Sequence, residues 1–115
     1  FQKKDIFIEG DGKETLDFTY IEDLIGGLEN VLKYKESNKE IFNITYGKAR
    51  SIIDVANILK KYFPSINIIT KPRDRLMPIR GALSIKKAKE KIKYLPSYDL
   101  EKGIEKYINF YDGIF

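Results

Sequence analysis

Cysteine and histidine are both absent from this 115-residue chain. Without cysteine there are no disulfides and no thiolate chemistry, and without either residue the common zinc sites are gone. The missing histidine also removes every mechanism that uses imidazole as a base. No apolar run approaches the roughly 20 residues that span a bilayer. Charged residues, 33% of the chain, are interspersed along it, so a soluble protein with no membrane partner is expected. The start, Phe1-Gln2-Lys3-Lys4-Asp5, has neither the apolar core nor the cleavage site of a signal peptide. It reads as the beginning of a segment of a longer, cytoplasmic protein. Internal repeats and low-complexity tracts are missing too.

What is present is material for a core. Hydrophobic residues make up 43% of the chain, with eight Tyr and seven Phe, enough for one domain over residues 1–115. The net charge of +4 and pI near 9.1 favour an anionic partner, although a solvated lysine-rich surface accounts for them equally simply.

Asp5-Ile6-Phe7-Ile8-Glu9 and Thr15-Leu16-Asp17-Phe18-Thr19 are β-prone runs flanking Gly10-Asp11-Gly12-Lys13, a pattern that predicts an N-terminal β-hairpin. Ile21, Leu24, Ile25, Leu28, Val31 and Leu32 recur at spacings of three and four, predicting a helix to about Tyr34 with these residues along one face. Gly26 and Gly27 weaken it by roughly 1 kcal/mol each relative to Ala, so close packing by a neighbour is expected there. Residues 40–44, Glu-Ile-Phe-Asn-Ile, read as a buried strand, and residues 45–48 as the loop leaving it. Ser51 with Asp54 resembles a capping box opening a helix whose apolar stripe is Ile52, Val55, Ala56, Leu59, Tyr62 and Phe63, with Pro64 as its stop. Ile66-Asn67-Ile68-Ile69-Thr70 reads as another strand, followed by a long proline-braced loop to Gly81. Ser84 is placed to cap a short helix with Ile85, Ala88 and Ile92 inward, and Asp99 to cap a last one carrying Leu100, Ile104, Ile108 and Tyr111. The order implies an α/β fold: a hairpin, short strands alternating with helices, and two C-terminal helices. Ligands in such layers sit at the C-terminal ends of strands, which singles out the loops after Ile44 and Thr70.

The run from Gly10 to Asp23, G-D-G-K-E-T-L-D-F-T-Y-I-E-D, resembles the G-D-G-x-x-x-R-D-F-x-Y-V-x-D segment of extended short-chain dehydrogenase/reductase proteins that act on nucleotide sugars. Phe42-Asn43-Ile44 with Gly47 and Ser51 is similar to that family's F-N-I-G-x-G…S stretch. Residues 84–88 resemble its D-x-x-K-A segment, residues 91–96 its L-G-W/Y-x-P segment, and Leu100-Glu101-Lys102-Gly103-Ile104 its L-E-E-G-L/I helix start. The resemblance implies the C-terminal, substrate-binding lobe of an NAD- or NADP-dependent nucleotide-sugar epimerase, dehydratase or decarboxylase. Such a lobe packs on an N-terminal Rossmann domain that binds the cofactor and carries the catalytic tyrosine. By that likeness this segment itself holds no cofactor, metal or catalytic residue; its ligand is the nucleoside diphosphate sugar, and its parent is a homodimer.

The same resemblance points to individual residues. In many members the residue before Asp-Phe is an arginine that reaches the diphosphate; here it is Leu16. Guanidinium binds a diphosphate well because its planar donors engage two oxygens at once, and Arg73, Arg75 and Arg80 lie on one loop. By position before the D-x-x-K-A-like segment, Arg75 is the best match to the family's phosphate-contacting arginine and Arg73 the second. Thr45 and Tyr46, where members often have glycine, are candidates to hydrogen-bond or stack on the substrate from the other loop. Asp17 and Asp23 read as structural, with Asp23 meeting the free amides of the helix it opens.

Two motif matches carry no function. Gly10-Asp11-Gly12 imitates the start of a dinucleotide-binding fingerprint, but Thr15 stands at the third glycine. Tyr98 and Lys102 spell the family's Y-x-x-x-K, yet Tyr98 precedes a helix cap and would not share a helix face with Lys102. Lysines 86, 87, 89, 91 and 93 lack any aromatic stacking platform, so no nucleic acid is expected as partner. A standalone nucleotide- or anion-binding module without catalysis remains the alternative, with a basic nucleic-acid-binding domain behind it.

Overall fold

Two separate two-stranded sheets organise the chain, each built from strands distant in sequence. The structure, a computed structural model, describes residues 4–113. Its elements are β1 (Ile6–Glu9), β2 (Thr15–Asp17), α1 (Ile21–Lys33), a 3-10 turn (Lys35–Ser37), β3 (Ala49–Ser51), α2 (Ile52–Tyr62), β4 (Ile68–Lys71), α3 (Lys86–Ile92) and α4 (Leu100–Asp112). The α/β class and the two C-terminal helices are as the sequence implies.

The N-terminal hairpin does not form. β1 pairs in parallel with β4, Ile6 opposite Ile68 and Glu9 opposite Lys71. β2 pairs antiparallel with β3, Thr15 opposite Ser51 and Asp17 opposite Ala49. Gly10 (φ +85°) and Gly12 (φ +74°) do adopt the left-handed backbone of a turn. That turn sends the chain from one sheet to the other, because its backbone groups are taken elsewhere. The Gly10 N–H donates to the Lys71 carbonyl at 2.7 Å, and the Gly12 and Glu14 carbonyls accept from Ile53 and Ile52 at the start of α2.

Other boundaries shift for similar reasons. Residues 40–44 pair with no strand among the described residues, although Phe42 and Ile44 pack on the core as a buried strand would. Residues 49–51, placed by sequence in a loop and helix start, supply β3 as the partner of β2. The capping box of α2 is present in both directions, Ser51 Oγ accepting from Asp54 N–H at 3.2 Å and Asp54 accepting from Ser51 N–H at 3.1 Å. On that helix Ile58 is buried and Tyr62 is exposed, which rotates the buried face from the expected stripe. Asp99 caps α4 through the Lys102 N–H at 2.9 Å. The cap position of α3 is Ile85, which makes no side-chain cap bond, while Ser84, one residue earlier, accepts from the Lys86 N–H at 3.5 Å.

The core is the cluster of Ile85, Ala88, Ile92 and Tyr94, covered by Val31, Tyr34, Phe42 and Ile44. Arg50 fastens the other side, its guanidinium donating to both oxygens of Glu101 at 2.8 and 3.0 Å and to Asp54 at 3.2 Å. That ties β3 to α2 and α4. α1 forms where the sequence places it. Its buried residues are Asp23 and Gly27, while Ile21, Ile25, Leu28 and Leu32 of the apolar stripe face outward, Leu32 with 89% of its surface exposed. The whole is flat, 49 × 39 × 17 Å, with a radius of gyration of 16.7 Å, against about 13 Å for a compact domain of this length. No helix among the described residues is long and apolar enough to cross a membrane.

Candidate functional site

The turn between β1 and β2 and the loop between β4 and α3 face each other across a cleft of about 270 Å³ whose walls include Lys13, Thr15, Arg73 and Arg80. Gly10 is required by its φ of +85° rather than by space, since a Cβ there would only reach ordinary contact with Arg73 Cβ, at 3.4 Å. A second cleft of about 300 Å³ adjoins it, lined by Phe7, Leu16, Ile52 and Met77, and Arg80, Glu9 and Glu14 belong to both.

The acids of the first cleft decide which cation is available. Lys13 lies 3.6 Å from Asp11, and the Lys13 N–H bonded to the Asp11 carboxylate holds that carboxyl below its ordinary range. Arg73 sits 4.0 Å from Glu14 and donates to the Met77 carbonyl at 3.2 Å. The Arg80 guanidinium has no acidic partner among the described residues. Its backbone is fixed instead, its carbonyl accepting from Thr15 Oγ1 at 3.1 Å.

Arg75, the best match on sequence spacing, stands in the turn over residues 74–77, where Asp74 accepts from the Leu76 N–H at 2.9 Å. It lines neither cleft. Thr45 and Tyr46 lie on the loop before β3, also outside both clefts. The Tyr46 N–H donates to Thr19 Oγ1 at 3.1 Å, and the Thr45 hydroxyl is buried with no hydrogen-bond partner among the described residues. Four residues of extended chain separate Thr15 from Thr19, roughly 13 Å, so the two candidate loops share a strand without sharing a cleft.

Asp23 is structural in a different way from that expected. Its carboxylate accepts from Ser97 N–H at 2.8 Å, Ser97 Oγ at 3.2 Å and Tyr98 N–H at 2.9 Å, so it bolts α1 to the approach of α4 rather than capping its own helix. Asp17 accepts from the N–H groups of Gly47 and Leu83. Tyr98 is no catalytic tyrosine: its hydroxyl donates to Glu22 at 2.5 Å, and that bond raises its pKa, the reverse of activation. No group of three His, Cys, Asp or Glu residues able to hold a metal occurs among the described residues.

No protein-family profile matches the chain. A provisionally named UDP-glucose 4-epimerase of Methanocaldococcus jannaschii is 36% identical over 105 residues, 90% of this chain and 33% of that protein. The solved structure of an epimerase from Methanothermobacter thermautotrophicus superposes with a TM-score of 0.90 at 26% identity, over 96% of this chain and 34% of its own. The UDP-glucuronic acid 4-epimerase of Bacillus cereus, solved with UDP-glucuronic acid and NAD, gives a TM-score of 0.86 at 29% identity over 99% of this chain and 37% of its own. The chain matches a C-terminal portion of the NAD-dependent epimerase/dehydratase enzymes of the extended short-chain dehydrogenase/reductase class. It spans about a third of the length of these epimerase relatives. Leu16, where the sequence resemblance implies arginine, lines the second cleft together with Arg80.

Proposed function

We propose that this chain is the substrate-binding part of an NAD(P)-dependent nucleotide-sugar epimerase or dehydratase, and that it holds a uridine diphosphate sugar. The observation that carries the reading is Arg80, a guanidinium without an acidic partner among the described residues, in the wall shared by the two adjoining clefts. A free guanidinium beside Phe7, Leu16 and Met77 suits a ligand with a diphosphate next to a nucleoside or sugar. Arg80 is the principal anchor and Arg73 the second, with Glu14 as its resting counterion. Arg75, in the turn outside the clefts, takes a lesser part. Uridine is favoured by the names of the relatives, which act on or bind UDP sugars.

The remainder of the parent, a Rossmann domain carrying NAD(P) and the catalytic residues, covers the outward stripe of α1 formed by Ile21, Ile25, Leu28 and Leu32. Exposed apolar area of that extent on a flat body supports a missing neighbour. The contribution of this part to catalysis is proximity: it fixes the sugar against the nicotinamide. The parent works in the cytoplasm as a homodimer.

Isothermal titration of the full-length protein with UDP, UDP sugars and a short oligonucleotide tests the reading. Saturable binding of UDP and UDP sugars is expected. Salt-sensitive oligonucleotide binding with no response to UDP would replace it with the nucleic-acid alternative.

A further inference from the structure

Alternate residues of β2 and its continuation, Thr15, Asp17 and Thr19, make the polar links that hold both candidate loops. Thr15 Oγ1 donates to the Arg80 carbonyl at 3.1 Å. Asp17 accepts the Gly47 N–H at 3.0 and 3.2 Å on its two oxygens and the Leu83 N–H at 3.1 Å. Thr19 Oγ1 accepts the Tyr46 N–H at 3.1 Å. Side chains two apart on a strand point to one face, so Thr15 and Asp17 share a face of β2, and Thr19 follows two residues on. Leu16, between Thr15 and Asp17, lines the second cleft with Phe7 and Met77.

We propose that Thr15 and Asp17 are positioning residues that set the place of Arg80 before any ligand arrives. The inference rests on the reading of Arg80 as the diphosphate anchor. The segment between Lys71 and Lys86 has no regular structure and is exposed almost throughout, so little of it is held by packing. Thr15 and Asp17 grip it at Arg80 and Leu83, on either side of Gly81 and Ala82. A farther tie, Asn43 Nδ2 to the Ser84 carbonyl at 3.0 Å, holds the end next to α3. An anchor arginine on an unheld loop must be ordered at the moment of binding, and that ordering is subtracted from the affinity. With both grips in place the guanidinium starts from the mouth of the cleft.

The polar character of positions 15 and 17 follows from this role. Thr15 is opposite Ser51 and Asp17 opposite Ala49 in the β2–β3 pair, so neither side chain is required by its cross-strand neighbour. Their partners are instead the backbone groups of two loops, which a strand of apolar side chains would leave untied.

The test uses UDP titration of the full-length protein with Thr15→Val, Thr15→Ser and Arg80→Ala, singly and as Thr15→Val with Arg80→Ala. Valine keeps the shape of threonine and removes its donor; serine keeps the donor. Thr15→Val is expected to weaken UDP binding about threefold to tenfold, the worth of one hydrogen bond, and Thr15→Ser to restore it. Melting temperatures of the two variants should agree, and Arg80→Ala should cost less in the Thr15→Val background than alone, because the two act as one unit. Wild-type affinity in Thr15→Val, with a clear loss in Arg80→Ala, overturns the positioning role and leaves the anchor standing. A loss in Thr15→Val that adds fully to that of Arg80→Ala also overturns it. Unchanged affinity in Arg80→Ala alone overturns the anchor itself.

Discussion

Gly27 on α1 lies so close to Ile44 that a Cβ built on it would stand 2.3 Å from Ile44 Cγ2. The helix and the segment before β3 pack through that missing atom, with Tyr94 closing the same gap at 3.1 Å. Gly26, one residue earlier, meets nothing within 4 Å. Gly27→Ala should therefore destabilise the protein by about 2 kcal/mol or more, as overpacking does. Gly26→Ala should stabilise it by up to about 1 kcal/mol through helix propensity. Urea denaturation of the two variants side by side reads both signs.

Asp23 supplies the acceptors for two backbone N–H groups and one hydroxyl between α3 and α4 while itself buried. Asp23→Ala strands those donors and should cost about 3 kcal/mol. Ser97→Ala removes only the longer hydroxyl bond and should cost about 1 kcal/mol or less. Equal losses in denaturant midpoint would contradict the assignment of the backbone bonds as the strong ones.

The Tyr94 hydroxyl is buried and has no hydrogen-bond partner among the described residues. Burial, followed by the nearby Asp23 and Asp17 charges, pushes its pKa from 10.0 up to about 12. A group whose folded pKa is raised keeps its contribution below the unfolded value and loses it as pH climbs through the folded one. Stability should thus fall between about pH 10 and pH 12. Tyr94→Phe should flatten that decline and cost nothing at pH 7, since the deleted hydroxyl has no partner to lose. Thermal melts across the alkaline range check it.

Much of this architecture was legible in local chemistry. Ser51 with Asp54 and Asp99 before Leu100 are caps whose partners lie within three residues, so sequence alone identified them. The hairpin expectation fails because Gly10 and Gly12 specify a turn but not what pairs beyond it; the partner of β1 is some 60 residues away, at Ile68 to Lys71. Asp23 suits its own helix on local grounds, because a carboxylate in a first turn satisfies the dipole by itself, and nothing local reveals Ser97. Among the arginines, family spacing favoured Arg75, whereas the clefts are lined by Arg73 and Arg80. Loop arginines a few residues apart look alike until the backbone places them. Thr15, which grips Arg80, carried no signal beyond β propensity.

The apolar stripe of α1 is exposed among the described residues. Leu28 is 53% exposed here, and a truly exposed leucine would change stability by no more than about 0.5 kcal/mol when cut to alanine. If the rest of the parent covers it, Leu28→Ala should cost the full-length protein about 2 kcal/mol or more. Chemical denaturation of the full-length variant decides between the two.

The central claim, that Arg80 anchors a nucleoside diphosphate, is tested most directly by the UDP dissociation constant of the full-length protein with Arg80→Ala and Arg75→Ala measured beside wild type. Loss of a charge-assisted hydrogen bond predicts about tenfold to hundredfold weaker binding for Arg80→Ala, with Arg75→Ala within about twofold of wild type. Wild-type affinity in Arg80→Ala, or the larger loss in Arg75→Ala, would contradict it.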